Sequence, residues 1–198
     1  LVRVDLRQEK PKVELVTKAK VSRNSPYALE GWQGSELLFT ANDDGYDNLY
    51  AYDRITRKTR QITKFDEDLS AETSGDMVVG VHKTPAGSTL VLVDPKTSKV
   101  VEERKFGGSV SLGDVYGDRV YLTQTSPDIY LEGYAMRRGG DALGDMETVI
   151  GLDPALEEKI VACTATTVKI PTFDEDPVTG KTRELHAFLL EPKNPVPE

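Results

Sequence analysis

The sequence predicts an all-β protein: a β-propeller fragment of about three and a half four-stranded antiparallel blades, followed by a C-terminal crossover strand. Three observations carry that expectation. First, a glycine–polar pair precedes an apolar strand three times. Gly34-Ser35 stands before ELLFT, Gly75-Asp76 before MVVGV and Gly117-Asp118 before RVYLT, at spacings of 41 and 42 residues. Second, DNLYAYDRITRKTRQITKF laid on STLVLVDPKTSKVVEERKF at an offset of 41 pairs Leu49 with Leu90, Asp53 with Asp94 and Thr56 with Thr97. The same offset pairs Lys58 with Lys99, Lys64 with Lys105 and Phe65 with Phe106. Third, no stretch of about a dozen residues keeps a capped helical period, a single turn at DPALEEK (153–159) apart. Four-stranded sheets recurring every 40–45 residues or so mark propeller blades.

The elements follow in chain order. Residues 1–20 (LVRVDL, a turn, KVELVT) read as a partial blade, and further blades are predicted over about 27–65, 66–106 and 107–150. The propeller portion is thus 1–155, and 156–198 is a linker and crossover hairpin. LYAYD and LVLVD are strands rich in Leu, Val and Tyr. DRITRK and DPKTSK are the turns after them, where Asp accepts backbone N–H groups and Pro95 fixes φ. NDDGYD (42–47) joins two strands of one blade, its Asp and Gly suiting positive φ and side-chain-to-backbone bonds. It lacks the ligand spacing and distal Glu of a calcium loop, leaving at most an adventitious cation. A ring of six to eight such blades would need roughly 250–330 residues, so an arc is expected, with a four-bladed ring as the alternative. The opening LVRVDL, without Met, reads as the middle of a strand whose true start lies upstream.

Composition narrows the function classes. The 198 residues carry a formal charge of −8, which offers no basic face to phosphates and argues against a nucleic-acid partner. Apolar runs stop far short of a membrane span. A single cysteine, Cys163, allows no internal disulfide and leaves the compartment open between periplasmic, secreted and cytoplasmic.

ANDDGYDNLYAYDRITRKTRQITKF resembles the repeat of TolB-type propellers and of the propeller in prolyl oligopeptidase-family serine peptidases. There a DG-x-x-NLY-x-x-D strand precedes a TG-x-x-x-x-LT strand; here Arg57 stands where that repeat often has Gly. The C-terminal KIPTFDEDPVTGKTRELHAFLLEPKNPVPE resembles the crossover into the α/β-hydrolase domain of those peptidases. Leu185-His186-Ala187-Phe188-Leu189-Leu190, with Glu191-Pro192 after it, matches x-I-H-A-W-L-x-x-P; the linker DEDPVTGKT is longer than the usual Asp-Gly turn. The resemblance implies the non-catalytic propeller portion of an oligopeptide hydrolase. Its partners would be a peptide substrate and a hydrolase domain supplying Ser, Asp and His, with no cofactor. The alternative is a TolB-like propeller acting as a binding scaffold. In either case unpaired blade edges predict self-association.

Within the chain itself no catalytic, cofactor or metal residue is expected. Gly107-Gly108-Ser109-Val110-Ser111 departs from the nucleophile elbow G-x-S-x-G by its last residue and lacks a following helix. His82, near the edge of a strand, and His186, alternating with apolar neighbours, have no nucleophile to serve. Gly180-Lys181-Thr182 echoes a phosphate loop, but Glu175 stands where its first Gly belongs. Asp174-Glu175-Asp176 reads as a solvated acidic loop. Glu102-Glu103 and Glu157-Glu158 are similar to the glutamate pair that holds a substrate amine in dipeptidyl peptidases, but their context differs. Tyr46, Tyr50, Tyr52, Tyr121, Tyr130 and Tyr134 read mostly as packing between blades.

Overall fold

Period-2 apolar patterning between Asp- and Gly-bearing turns yields strands that pair with their chain neighbours. The computed structural model describes residues 2–4, 9–15, 28–43, 45–84, 87–126, 129–151, 153, 155, 163–175 and 182–192. Strands β1 (Val2–Val4) and β2 (Val13–Leu15) form an antiparallel pair. A four-stranded meander follows: β3 (Ala28–Gln33), β4 (Glu36–Ala41), β5 (Asn48–Asp53) and β6 (Lys58–Gln61). The next four-stranded sheet is β7 (Leu69–Ser74), β8 (Met77–Thr84), β9 (Gly87–Asp94) and β10 (Lys99–Phe106). The third contains β11 (Ser109–Tyr116), β12 (Arg119–Ser126), β13 (Ile129–Gly139), β14 (Ala142–Leu143) and β15 (Glu147–Ile150). A long hairpin of β16 (Cys163–Glu175) and β17 (Thr182–Pro192) ends the described chain.

The fold is all-β, and its three large sheets are propeller blades. One detail differs from the sequence expectation: the third sheet has five strands rather than four. The 11-residue β13 is long enough to pair with β14 at Arg138–Gly139 and with β15 at Gly133–Ala135. Of the predicted helical turn, only Asp153 and Ala155 are described; Glu157 and Glu158 lie outside the described residues.

The middle sheet explains the strongest apolar runs. Met77, Val79, Val81, Leu90 and Leu92 face the third sheet, packing with Val110, Val120, Leu122, Met136 and Leu143. Val78, Val91 and Val93 point the other way, onto Leu38, Leu49, Ala51 and Ile62. Alternate residues of one strand thus serve two different cores, so both parities must be apolar. Each such Val or Leu contributes about 1.5–3 kcal/mol by leaving water.

Polar ties join the same neighbours. Thr73 Oγ1 donates to Glu30 O at 3.0 Å and Ser74 Oγ to Gly117 O at 3.0 Å. On β6, Arg60 is held by both carboxylate oxygens of Glu36 and donates to Pro95 O (2.6 Å) and Ser98 Oγ (2.8 Å) of the second sheet. On β10, Arg104 pairs with Glu102 at 2.9 Å and donates to Leu143 O and Gly144 O of the third. Glu102 Oε2 accepts the Leu143 N–H at 2.7 Å, so this glutamate is part of the joint between sheets.

The turns repeat with the sheets. Gly34, Gly75 and Gly117 have φ of 60°, 59° and 63°, the left-handed conformation that glycine adopts without Cβ strain. After β5, Asp53 accepts the Ile55 N–H at 2.8 Å; after β9, Asp94 accepts the Lys96 N–H and the Thr97 hydroxyl. These bonds hold both carboxyls below the ordinary aspartate range, Ile55 N–H being the main cause for Asp53 and the Thr97 hydroxyl for Asp94. Each turn ends in a left-handed non-glycine residue, Arg57 (φ 60°) and Ser98 (φ 56°). The fully buried Asn48 of the NLY motif closes the first sheet. Its Oδ1 accepts the Phe65 N–H (2.8 Å) and the Thr63 hydroxyl (3.0 Å), and its Nδ2 donates to Phe65 O (3.1 Å).

Two predictions follow from these geometries. Asn48→Ala leaves the Phe65 N–H without its acceptor and should cost about 2–3 kcal/mol in urea unfolding; an unchanged midpoint would refute the clasp. Arg57→Gly and Ser98→Gly each remove a left-handed Cβ and should raise stability by about 0.5–1 kcal/mol, net of glycine's extra unfolded-state entropy. A fall in the midpoint would count against that strain.

Candidate functional site

A cleft lies between β3 of the first four-stranded blade and β7 of the next, and the bulge in β3 shapes it. Pairing of β3 with β4 slips between Leu29 and Gly31, which leaves Glu30 as the extra residue of the bulge. Glu30 accepts a hydrogen bond from Thr40 Oγ1 at 3.1 Å. Beside it runs β7, the first strand of the next blade. The cleft between them measures about 770 Å³ and has an apolar floor that includes Leu29, Leu69, Ala71 and Val81. Six carboxylates line it: Glu30, Asp47, Asp66, Glu67, Asp68 and Glu72. Lys83 is the one basic side chain among the described lining residues, and its Nζ donates to Ser111 Oγ of the third sheet at 3.3 Å.

Asp47 ends the NDDGYD segment, which the structure places as the β4–β5 connection. Gly45 has φ 111° and its N–H donates to Asn42 O at 3.1 Å, closing the turn. The Asp47 N–H donates to Asp68 Oδ1 at 2.9 Å, and the Leu69 N–H donates to Asp47 O at 2.8 Å. Those two bonds fasten the turn to the linker entering β7 and set one wall of the cleft.

Burial pushes the Glu30 carboxyl up to about 7; the Thr40 hydrogen bond opposes this, and the nearby Glu72 charge adds to it. Among the described residues no basic side chain pairs with Glu30 or Glu72. The cleft is therefore a region of concentrated negative charge with an apolar base, suited to holding a cation on an aliphatic stem. No group of three or more His, Cys, Asp or Glu residues that could hold a metal ion comes together among the described residues.

The residues singled out from the sequence lie elsewhere. Ser109 opens β11 opposite Thr125, and the strand runs on to Tyr116, so no helix follows it. His82 lies two residues before the end of β8, where it pairs with Leu69 and Thr89, and β8 itself runs between β7 and β9. Its ring is buried and stacked on Phe65 (4.5 Å between centroids, 17° between planes), with Nδ1 3.4 Å from Glu67 Oε2. His186 sits in β17 opposite Lys169, but its side chain lies outside the described residues. So do the side chains of Asp174 and Glu175, together with Asp176, Gly180 and Lys181; Thr182 opens β17. Tyr50 and Tyr52 are buried, Tyr50 stacking on Phe39 at 5.7 Å, whereas Tyr46 is 44% exposed. Tyr121 and Tyr134 are half-buried, and the Tyr130 side chain is outside the described residues. Cys163 is a half-buried thiol in no disulfide. The cleft glutamates were missed, although Glu30, Glu72 and Asp114 recur at a spacing of 42, each on the first strand of its sheet.

Together these features define a set of β-propeller blades with an acidic cleft between two of them. No protein-family model matches the chain, nor does any curated protein by sequence. Solved structures do. Porphyromonas gingivalis dipeptidyl peptidase 4 is similar over 83% of this chain and 23% of its own, at 17% identity and a TM-score of 0.62. A structure from a mechanistic study of two prolyl endopeptidases is similar over 94% of this chain and 27% of its own, at 15% identity and a TM-score of 0.65. A puromycin hydrolase variant is similar over 77% of this chain and 23% of its own, at 19% identity and a TM-score of 0.55. These likenesses show the fold, and the chain spans 23–27% of the length of those proteins.

The Glu30 carboxyl predicts a pH dependence. Because its proton is held more tightly in the folded chain, the linked stability is complete below pH 4.5 and is lost as pH rises to about 7. Discounted for partial exposure, the loss should be about 1–2 kcal/mol. Glu30→Gln should flatten stability across that window in urea unfolding at successive pH values. An unaltered slope would mean that other groups are responsible.

Proposed function

We propose that the chain is the propeller portion of a serine-type peptidase of the prolyl oligopeptidase family. In this reading the blades restrict access to an active site on an α/β-hydrolase domain that follows in sequence. Short or unfolded peptides are the substrates, and Ser, Asp and His of the hydrolase domain carry acyl transfer to water. The blades described here act by exclusion, and no residue of this chain is assigned to the chemistry.

The observation that carries the reading is the C-terminal hairpin. After the third sheet the chain leaves the blade pattern, and Leu185–Leu190, the segment similar to the peptidase crossover, falls within β17. Leu185, Phe188, Leu189 and Leu190 are each at least 50% exposed there, an apolar surface that an adjoining domain would cover. The likeness to a dipeptidyl peptidase, a prolyl endopeptidase and a puromycin hydrolase supports the same reading.

A fluorophosphonate probe should leave this chain unlabelled. It should label the product of the same coding sequence extended past Glu198, where a G-x-S-x-G segment is expected within roughly 200–250 residues. Labelling of the 198-residue chain would overturn the proposal. So would further blades, or a stop, directly after Glu198; either would favour the binding scaffold.

A further inference from the structure

We propose that the cleft between β3 and β7 is a docking groove for a basic peptide segment. Its Lys or Arg heads would lie between Glu30 and Glu72, and its apolar side chains on the floor formed by Leu29 and Leu69. Shape and charge point to the same occupant. The groove is large enough, at about 770 Å³, for several side chains, and its floor is apolar. Leu29, which lines the groove, is 61% exposed, so the strand presents apolar surface there that the blade core does not use.

The rim selects the sign of the partner. Six carboxylates face one ammonium, and that ammonium is engaged by Ser111. Burial of Glu30 beside Glu72, without a basic partner among the described residues, is a cost that a bound cation would offset. Asp114, 42 residues after Glu72, is likewise an exposed carboxylate on the first strand of its sheet. A second copy of this chain, itself carrying a net charge of −8, and any nucleic acid are repelled by that field. A basic peptide is attracted by it. The inference concerns binding alone and holds whether or not a hydrolase domain follows.

The experiment is fluorescence anisotropy of the 198-residue chain with a labelled peptide of about eight residues alternating Lys and Leu. A counterpart with Glu for every Lys is the control. The basic peptide should bind, the acidic one should not, and affinity should fall as salt rises. The double variant Glu30→Gln with Glu72→Gln, isosteric and checked for an unchanged circular dichroism spectrum, should bind about tenfold or more weakly. Lys83→Glu should bind a few-fold more tightly. Equal binding of both peptides would overturn the proposal. So would undiminished affinity in the folded double variant, or sedimentation showing that a second copy fills the groove.

Discussion

Each of the three large sheets depends on a neighbouring sheet for the burial of at least one face. The second sheet shows the constraint most fully: Val79, Leu90 and Leu92 are completely buried against one neighbour, and Val78, Val91 and Val93 against the other. A sheet packed on both sides favours apolar residues at both parities of its middle strands, which is why the centre of β9, LVLV, has no polar interruption. A lone blade of this composition would leave both sets of side chains in water. Stability in such an array is accumulated from nearest-neighbour contacts. The period of the sequence is the imprint of that dependence, since each unit must present to the next the surface it received from the last.

Packing between faces fixes distance but only weakly fixes angle, because apolar contact has little directionality. The angle is set by directional bonds at the two ends of the blades. At the first strands, Thr73 and Ser74 donate to carbonyls of the preceding and following sheets. At the outer strands, Arg60 and Arg104, each already held by a glutamate of its own sheet, reach the turns of the next. The guanidinium's planar fork suits this task because it can bond a carboxylate and a carbonyl together. The turns must therefore be rigid, and the Asp53 and Asp94 bonds make them so even where the left-handed position is filled by Arg57 or Ser98.

The repeat was legible in the sequence because its punctuation is chemical. Gly34, Gly75 and Gly117 sit where positive φ is required, and Asp53 and Asp94 sit where unpaired N–H groups need an acceptor. What could not be read is whatever depends on which strands become neighbours. His82 stands near the end of its strand as the run MVVGVHK suggests, but only the order of the sheet shows that its ring is held in the interior against Phe65. The division of β13 between two short partners likewise rests on its length and on where the chain turns back. The cleft is the extreme case. Glu30, Asp47, Asp68 and Glu72 come from four segments, and only the meeting of two blades assembles them. The faint trace they left was the recurrence of an acid on successive first strands, a signal outweighed by the glycines and apolar runs of the same period.

That hidden signal reflects a division of labour within each blade. The middle strands carry the core and tolerate little change in volume or polarity. The outer strands carry the Arg–Glu joints. The first strands make the fewest demands: in β7, Leu69, Ala71 and Ser74 are buried while Ser70 and Glu72 face outward, and in β3 the bulge diverts Glu30 from the ladder altogether. A carboxylate at such a place costs the core nothing directly, because the side chains that fill it point away. Variation can accumulate there without disturbing the period that holds the blades together. Binding chemistry in this architecture is accordingly expected where the repeat is structurally least constrained, along the first strands and the clefts between them.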